Sequence, residues 1–220
     1  MTSTTKAAAH ARALEAILIP ARIVPVLTIA RAEDGVPLAR ALVAGGVRVL
    51  EVTFRTEAAA EAARAIIAEV PEAIVGMGTG LNADDLRRAR ALGAQFAVSP
   101  GATPELLDAA ASGDLPLLPG VATASEVMQA QARGFGLLKF FPAEQAGGIA
   151  MLRALAGPFP QVRFCPTGGI GAANAAAWLA EPNVVAVGGS WLCPAADVRA
   201  GNWEVITGRC RDAMKSLRRG

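Results

Sequence analysis

Tyrosine, histidine and cysteine, which carry much of the acid–base and metal chemistry of enzymes, are scarce in this sequence of 220 residues. Tyrosine is absent, His10 is the single histidine, and Cys165, Cys193 and Cys210 form no CxxC pair. A catalytic His/Asp relay could therefore use only a residue near the amino terminus. Three dispersed cysteines favour neither a disulfide framework nor a zinc cluster. We expect no metal, no cofactor and a reducing, cytoplasmic compartment.

Long apolar runs are missing too, as is a strong excess of either charge. No apolar run reaches the ~18 residues of a membrane span, and Lys6, Arg12 and Glu15 interrupt the segment where a signal peptide would be apolar. The net charge of +2 provides no basic surface for nucleic acid. The hydrophobic content of 53% excludes intrinsic disorder. The sequence therefore predicts a folded chain that binds neither nucleic acid nor a membrane.

Lysine is rare although arginine is common. Of the 21 basic residues only Lys6, Lys139 and Lys215 are lysines, and the first and last lie near the chain ends. Lys139 stands alone in the central sequence, inside the apolar run LLKFF. Burial of an ammonium group is costly, and desolvation favours the neutral amine. The run therefore places a potential amine nucleophile inside the fold.

Short β-branched runs alternate with Ala-rich amphipathic runs at a spacing of about 23 residues. The alternation predicts parallel strands joined by right-handed helical crossovers. Even spacing, and no GxGxxG after the first strand, favour a (β/α)8 TIM barrel over an open doubly wound sheet. We expect one α/β domain over residues 1–220, with an extra N-terminal helix at about 6–18 and the barrel at about 23–217. The predicted strands begin at Ile23, Val47, Ala73, Gln95, Leu115, Leu137, Val162 and Val184.

Two of these strands carry charge where a barrel core is normally apolar. Side chains alternate between faces, so Glu51, Thr53 and Arg55 share one face of the second strand, and Lys139 shares a face with Phe141 on the sixth. Active sites of barrels lie at the carboxyl ends of the strands. These residues are therefore candidates for catalysis. The alternatives are structural pairs, either of Glu51 with Arg55 or of Glu51 with Lys139.

Glycine pairs follow the last two predicted strands. Gly168 and Gly169 follow Thr167, and Gly189 precedes Ser190. Backbone N–H groups in such loops bind anions, and the loops after strands 7 and 8 are the usual phosphate site of barrels. The pattern predicts a phosphate site, with a simple tight turn as the alternative.

A lone lysine, a carboxylate, an arginine and a phosphate site together indicate Schiff-base chemistry on a phosphorylated keto acid. The sequence between about residues 23 and 192 also resembles the 2-keto-3-deoxy-6-phosphogluconate (KDPG) aldolase family. The segments that carry the resemblance are AGGVRVLEVTFRTE (44–57), PEAIVGMGTGLN (71–82), QFAVSPG (95–101), LLKFFPAE (137–144), GPFPQVRFCPTGGI (157–170) and VGGSWL (187–192).

The resemblance implies an activity and a set of residue roles. It implies a homotrimeric class I aldolase of the Entner–Doudoroff pathway that cleaves KDPG to pyruvate and D-glyceraldehyde 3-phosphate, with 4-hydroxy-2-oxoglutarate as a further substrate. The imine lysine corresponds to Lys139 and the proton-transferring glutamate to Glu51. The remaining implied contacts are Arg55, Thr79, Thr167 and Phe141 to pyruvate, and Gly168, Gly169, Gly189 and Ser190 to phosphate.

Some alternatives remain open at this level. Met77 and Gly80 depart from the family pattern beside Thr79, so the pocket there is where this chain differs most. The galactonate epimer of KDPG has the same pyruvate half. A phosphosugar isomerase or epimerase on the same barrel would need a second acid–base group across the mouth. A barrel that only binds phosphate would bind without turnover.

Overall fold

The computed structural model describes residues 3–218, in which helices alternate with parallel strands. All paired strands are parallel, as expected when helices connect them. The predicted α/β class with parallel strands is therefore confirmed. The strands are β1 (Ile23–Leu27), β2 (Val49–Thr53), β3 (Ile74–Gly78), β4 (Phe96–Val98), β5 (Leu117–Leu118), β6 (Gly120–Val121), β7 (Leu137–Phe140), β8 (Arg163–Pro166) and β9 (Val187–Gly189).

The strands form two sheets, one of six strands in the order β5-β4-β3-β2-β1-β9 and one of three in the order β6-β7-β8. The single strand predicted from Leu115 is divided into β5 and β6 at Pro119. Proline has no N–H to donate to a ladder, and β5 pairs with β4 whereas β6 pairs with β7. Isolated bridges from Phe164 to Val184 and from Thr167 to Gly188 link the β8 and β9 segments.

Three of the helices begin directly after a residue whose side chain caps the first turn. Asn82, Thr103 and Thr123 each accept a hydrogen bond from a backbone N–H in the first turn of the following helix. The N-terminal helix extends past the predicted 6–18 at both ends. The helices are α1 (Ser3–Ala21), α2 (Gly35–Ala44), α3 (Ala59–Glu69), α4 (Ala83–Ala91), α5 (Pro104–Ser112), α6 (Ala124–Ala132), α7 (Gly148–Ala156), α8 (Ala175–Leu179), α9 (Ala195–Arg199) and α10 (Trp203–Arg218), with a 3-10 turn at Ala32–Asp34.

The core divides into two clusters that follow the alternation of the strands. The larger cluster packs the strands against the helices and includes Leu50 and Leu138. The smaller cluster includes Val49 and Leu137, the neighbours of those residues on the opposite face. Glu51 and Lys139 each lie two residues beyond a member of the smaller cluster. Both therefore share its face, which is the face opposite the larger cluster.

Helix α1 covers one end of this inner cluster. Its buried Leu14 and Leu18 pack with Val49, Leu137 and Cys165, and the helix contacts β1, β2, β5 and β7. The apolar side chains of α1 therefore cover the inner cluster at the amino ends of these strands, and Glu51 and Lys139 lie further toward the carboxyl ends. None of the helices described within residues 3–218 combines the length and apolar content that a membrane crossing requires.

Candidate active site

Lys139 on β7 and Glu51 on β2 meet in the interior although 88 positions separate them. The Lys139 Nζ donates a hydrogen bond to Glu51 Oε1 at 3.2 Å, and both side chains are 4% exposed. β2 and β7 belong to different sheets, so the contact spans the space between the sheets. A buried charge is tolerated when it is paired. The pair places an amine and a carboxylate within proton-transfer distance.

The Glu51 carboxylate depends on a glycine in the neighbouring strand. Gly78 pairs with Thr53 in the β2–β3 register, and a Cβ at Gly78 would overlap Glu51 Oε1. The hydroxyl of Thr53 donates to the Leu27 carbonyl at 2.9 Å, which ties β2 to β1. β2 is thus held on both sides, and this fixes the direction of Glu51.

Besides the Glu51 carboxylate, an aromatic ring and a thiol lie near the Lys139 amine. The Lys139 Nζ lies 5.2 Å from the centroid of the Phe141 ring, a favourable position for an ammonium or iminium group. Cys165 pairs with Lys139 in the β7–β8 register. Burial raises the pKa of the Cys165 thiol to about 12. Because the thiol stays protonated at neutral pH, Glu51 is the carboxylate base beside the amine.

Lys139 opens into a cavity of about 220 Å³ at the carboxyl ends of the strands. The cavity brings together eight of the ten predicted site residues. Glu51 does not line the cavity, but it accepts a hydrogen bond from Lys139, which does. The lining residues are Val26, Thr28, Arg55, Lys139, Phe141, Thr167, Gly168, Gly169, Ile170, Gly189 and Ser190.

Arg55 lies in the turn after β2, where it is exposed at the rim of this cavity. It forms no ion pair with any residue among 3–218, so the alternative of a structural Glu51–Arg55 pair is wrong; Glu51 pairs with Lys139 instead. A guanidinium that is not engaged by protein can bind a carboxylate of a ligand.

Another part of the cavity wall is built from glycine backbone. Gly168 and Gly169 have φ values of +105° and +76°, a conformation that side chains rarely adopt. Within the described chain, the N–H groups of Gly168, Gly169 and Ile170 donate to no protein acceptor. A Cβ at Gly189 would overlap the Trp191 ring. Successive free N–H groups in such a turn form an anion-binding concavity.

Thr79 is the predicted residue that the structure leaves apart. It follows β3, is half-buried, and does not line the cavity. Its φ is +62°, a left-handed conformation that is strained for a β-branched residue. Backbone strain of this kind concentrates at functional sites. Thr79 therefore stays a candidate substrate-binding residue because of its backbone conformation, although it does not contact the cavity.

Sequence reasoning missed three lining residues, Val26, Thr28 and Ile170. Thr28 directly follows β1, so the rule that strand ends carry function would have found it. A larger cavity of about 530 Å³ lies beside α10 and includes Trp191 and Arg209. It contains no predicted residue, so volume alone does not identify the site. Within residues 3–218, no three His, Cys, Asp or Glu side chains cluster in a way that could hold a metal ion.

Several known proteins that are similar to this chain in sequence or structure are aldolases. The family model for KDPG and KHG aldolase matches residues 14–209. KHG/KDPG aldolase of Escherichia coli K12 is 53% identical over 204 residues, covering 93% of this chain and 96% of the relative. The 2-dehydro-3-deoxy-phosphogluconate aldolase of Dickeya dadantii is 52% identical over 200 residues, covering 91% and 94%.

A solved structure shows the same arrangement of elements. KDPG aldolase from Legionella pneumophila, with pyruvate captured at low pH as a covalent carbinolamine intermediate, superposes with a TM-score of 0.89 at 46% identity. The match covers 90% of this chain and 97% of the other. With a family model over most of the sequence and relatives above half identity, this chain belongs to the KDPG and KHG aldolase family.

Proposed function

We propose that this chain is a class I aldolase that cleaves KDPG to pyruvate and D-glyceraldehyde 3-phosphate through a Schiff base on Lys139. The observation that carries the proposal is the buried Lys139–Glu51 pair, of which Lys139 lines a cavity that is also lined by the Gly168–Gly169 turn. One end of the cavity supplies an amine and a base. The other end supplies free amides for a phosphate.

The reaction begins with transfer of a proton from Lys139 to Glu51, across the 3.2 Å hydrogen bond. The neutral amine then attacks the C2 carbonyl of the substrate to form a carbinolamine. Glu51 returns its proton to the carbinolamine hydroxyl, which leaves as water, so that an iminium ion forms and Glu51 is again a carboxylate. The Phe141 ring lies beside this cation. Arg55 at the rim binds the adjacent carboxylate of the keto acid.

Cleavage follows when a carboxylate removes the proton of the C4 hydroxyl. The C3–C4 bond breaks, the aldehyde leaves, and the electron pair moves into the iminium to give an enamine. Glu51 is the base we assign to this step and the acid that returns a proton to C3. Water then hydrolyses the pyruvyl imine, which releases pyruvate and regenerates the amine.

The phosphate of the aldehyde half lies, in our proposal, against Gly168, Gly169, Gly189 and Ser190. Binding energy from this distant group orients the reacting carbons against Lys139. A relative at 53% identity is named KHG/KDPG aldolase. We therefore propose cleavage of 4-hydroxy-2-oxoglutarate as a second activity. That substrate has the same pyruvate half as KDPG and a carboxylate in place of the phosphorylated part of the other half.

We also propose that the two sheets close as one (β/α)8 barrel within a single domain. The support is the series of parallel pairs, the continuity of β5 and β6 through Pro119, and the bridges at Phe164 and Thr167. A homotrimer is proposed from the resemblance to the family, and sedimentation tests it. The three cysteines are free thiols, which supports a reducing cytoplasmic compartment.

Borohydride reduction in the presence of pyruvate tests the mechanism. With three lysines in the chain, peptide mass mapping assigns the adduct unambiguously, and a reduced pyruvyl group on Lys139 is the expected result. Turnover is measured in parallel on KDPG and on its galactonate epimer. Failure to trap an adduct in folded protein would overturn the imine mechanism and leave an isomerase, an epimerase or a binding protein.

A further inference from the structure

Glu144 lies five residues after Lys139, outside the cavity lining, and joins the lysine strand to the glycine turn. Its Oε1 accepts a hydrogen bond from Trp178 Nε1 and another from Asn174 Nδ2, both at 2.9 Å. Trp178 is fully buried and packs near Phe140 of β7. One carboxylate oxygen therefore connects the segment after β7 to the start of α8.

Asn174 extends this connection to both sides of the glycine turn. Its Nδ2 also donates to the Gly169 carbonyl at 3.1 Å, and its Oδ1 accepts from the Gly171 N–H at 2.8 Å. The amide group of Asn174 thus holds the chain immediately before and after Ile170. Glu144 in turn fixes the orientation of that amide, because Nδ2 must remain directed at the carboxylate.

Backbone contacts place the same segment directly against the turn. The Glu144 N–H donates to the Gly168 carbonyl at 3.1 Å, and the Ala143 N–H donates to the Thr167 carbonyl at 2.8 Å. A Cβ at Gly169 would overlap the Glu144 side chain. Gly169 therefore packs with its positive φ against the Glu144 side chain, and Gly168 packs with its positive φ against Pro142 and Ala143.

We propose that Glu144 is a positioning residue that holds the Gly168–Gly169–Ile170 amides in their phosphate-binding arrangement. The proposal rests on the proposed function, and it assigns to Glu144 the choice of phosphorylated over unphosphorylated aldehyde halves. The carboxylate does so as a hydrogen-bond acceptor for Asn174 and Trp178. Its charge opposes a bound phosphate, so the acceptor geometry, not the charge, is what the turn requires.

Three variants separate these contributions. Glu144→Ala removes the acceptor, and Glu144→Gln removes the charge but keeps an Oε1 that can accept both hydrogen bonds. Glu204→Ala removes an exposed carboxylate in α10 and serves as the matched control. The readouts are kcat and KM for KDPG cleavage, and the rate of deuterium exchange at the pyruvate methyl, which uses only the lysine end.

We expect Glu144→Ala to lower kcat/KM for KDPG by about 10- to 100-fold, mainly through KM, because the turn shifts by a fraction of an ångström. Pyruvate exchange should stay within about twofold, since β7 itself is intact. Glu144→Gln should restore KDPG cleavage to within about threefold of the unmodified enzyme. Equal losses in cleavage and exchange, no loss in Glu144→Ala, or no rescue by glutamine would each overturn the proposal.

Inorganic phosphate binding keeps this test separate from the proposed function. Absence of KDPG cleavage by the unmodified protein would overturn the proposed function alone. Calorimetric titration with phosphate should then still show weaker binding in Glu144→Ala than in the unmodified protein and in Glu204→Ala. Equal phosphate affinities in the three proteins, or no phosphate binding by the unmodified protein, would overturn the role of Glu144.

Discussion

The two ends of the cavity are built in opposite ways. The lysine end consists of two charged side chains from strands of different sheets, each 4% exposed. The glycine end consists of the backbone of consecutive residues in a loop, in a left-handed conformation. The first end depends on the chemistry of single side chains, and the second depends on backbone shape. Substitutions at the lysine end should therefore impair the chemistry at pyruvate, and substitutions at the glycine end should impair binding of KDPG.

Removal of the amine should have the largest effect. Lys139→Ala should reduce KDPG cleavage by at least about 10⁴-fold, because no other group can form the imine. The pyruvyl adduct should disappear from the borohydride reaction. Lys215→Ala, at an exposed position of α10, is the matched control and should retain both signals. Cleavage at the unmodified rate by folded Lys139→Ala would refute the mechanism.

Removal of the base should have the next largest effect. It should separate the two functions of the lysine end, which are imine formation by Lys139 and proton transfer by Glu51. Glu51→Gln should slow pyruvate methyl exchange by about 10²- to 10⁴-fold, since proton transfer is lost. Imine formation should slow as well, because Glu51 accepts the lysine proton, but the amine is still present, so prolonged borohydride treatment should still trap pyruvate at Lys139. Exchange is followed by NMR. An exchange rate equal to that of the unmodified enzyme would assign proton transfer to another group.

At the glycine end, Gly169→Ala should raise KM for KDPG about tenfold and leave pyruvate exchange unchanged. The new methyl group overlaps Glu144 and the φ of +76° is strained for alanine, so the turn must shift. Gly171→Ala is the matched control, because a Cβ there meets no atom within 4 Å. Steady-state kinetics of both variants checks this. Parallel losses in exchange would show that the two ends are not independent.

The smallest expected effect is a change in the free energy of unfolding on substitution of Gly80, which directly follows Thr79. A Cβ at Gly80 would make only ordinary contacts, at 3.7 Å or more, and its φ is not positive. Gly80→Ala should therefore raise the free energy of unfolding by about 0.4–1 kcal/mol through the unfolded state. Urea denaturation measures the change. Gly78→Ala should destabilise instead, because its methyl group overlaps Glu51.

Prediction from sequence succeeded where a property is local. The alternation of side chains placed Glu51 and Lys139 on inward faces, and the glycine pairs marked the turn that lines the cavity. Prediction from sequence failed where the structure of a segment depends on which other segments it contacts in the fold. Pro119 divides a predicted strand because β5 and β6 pair with different neighbours. The role of Glu144 needs contacts with α8 that lie 30 and 34 positions away.

The sequence alone determined the alternating elements, the inward faces of β2 and β7, and the residue types available for imine chemistry. These follow from the period of two in a strand and from the rarity of lysine. Only the tertiary structure decided that Lys139 donates a hydrogen bond to Glu51 at 3.2 Å and that Arg55 forms an ion pair with neither of them. It also decided that Thr79 does not line the cavity. The physical reason is that such contacts join residues far apart in the chain, and their distances depend on how the whole sheet is packed.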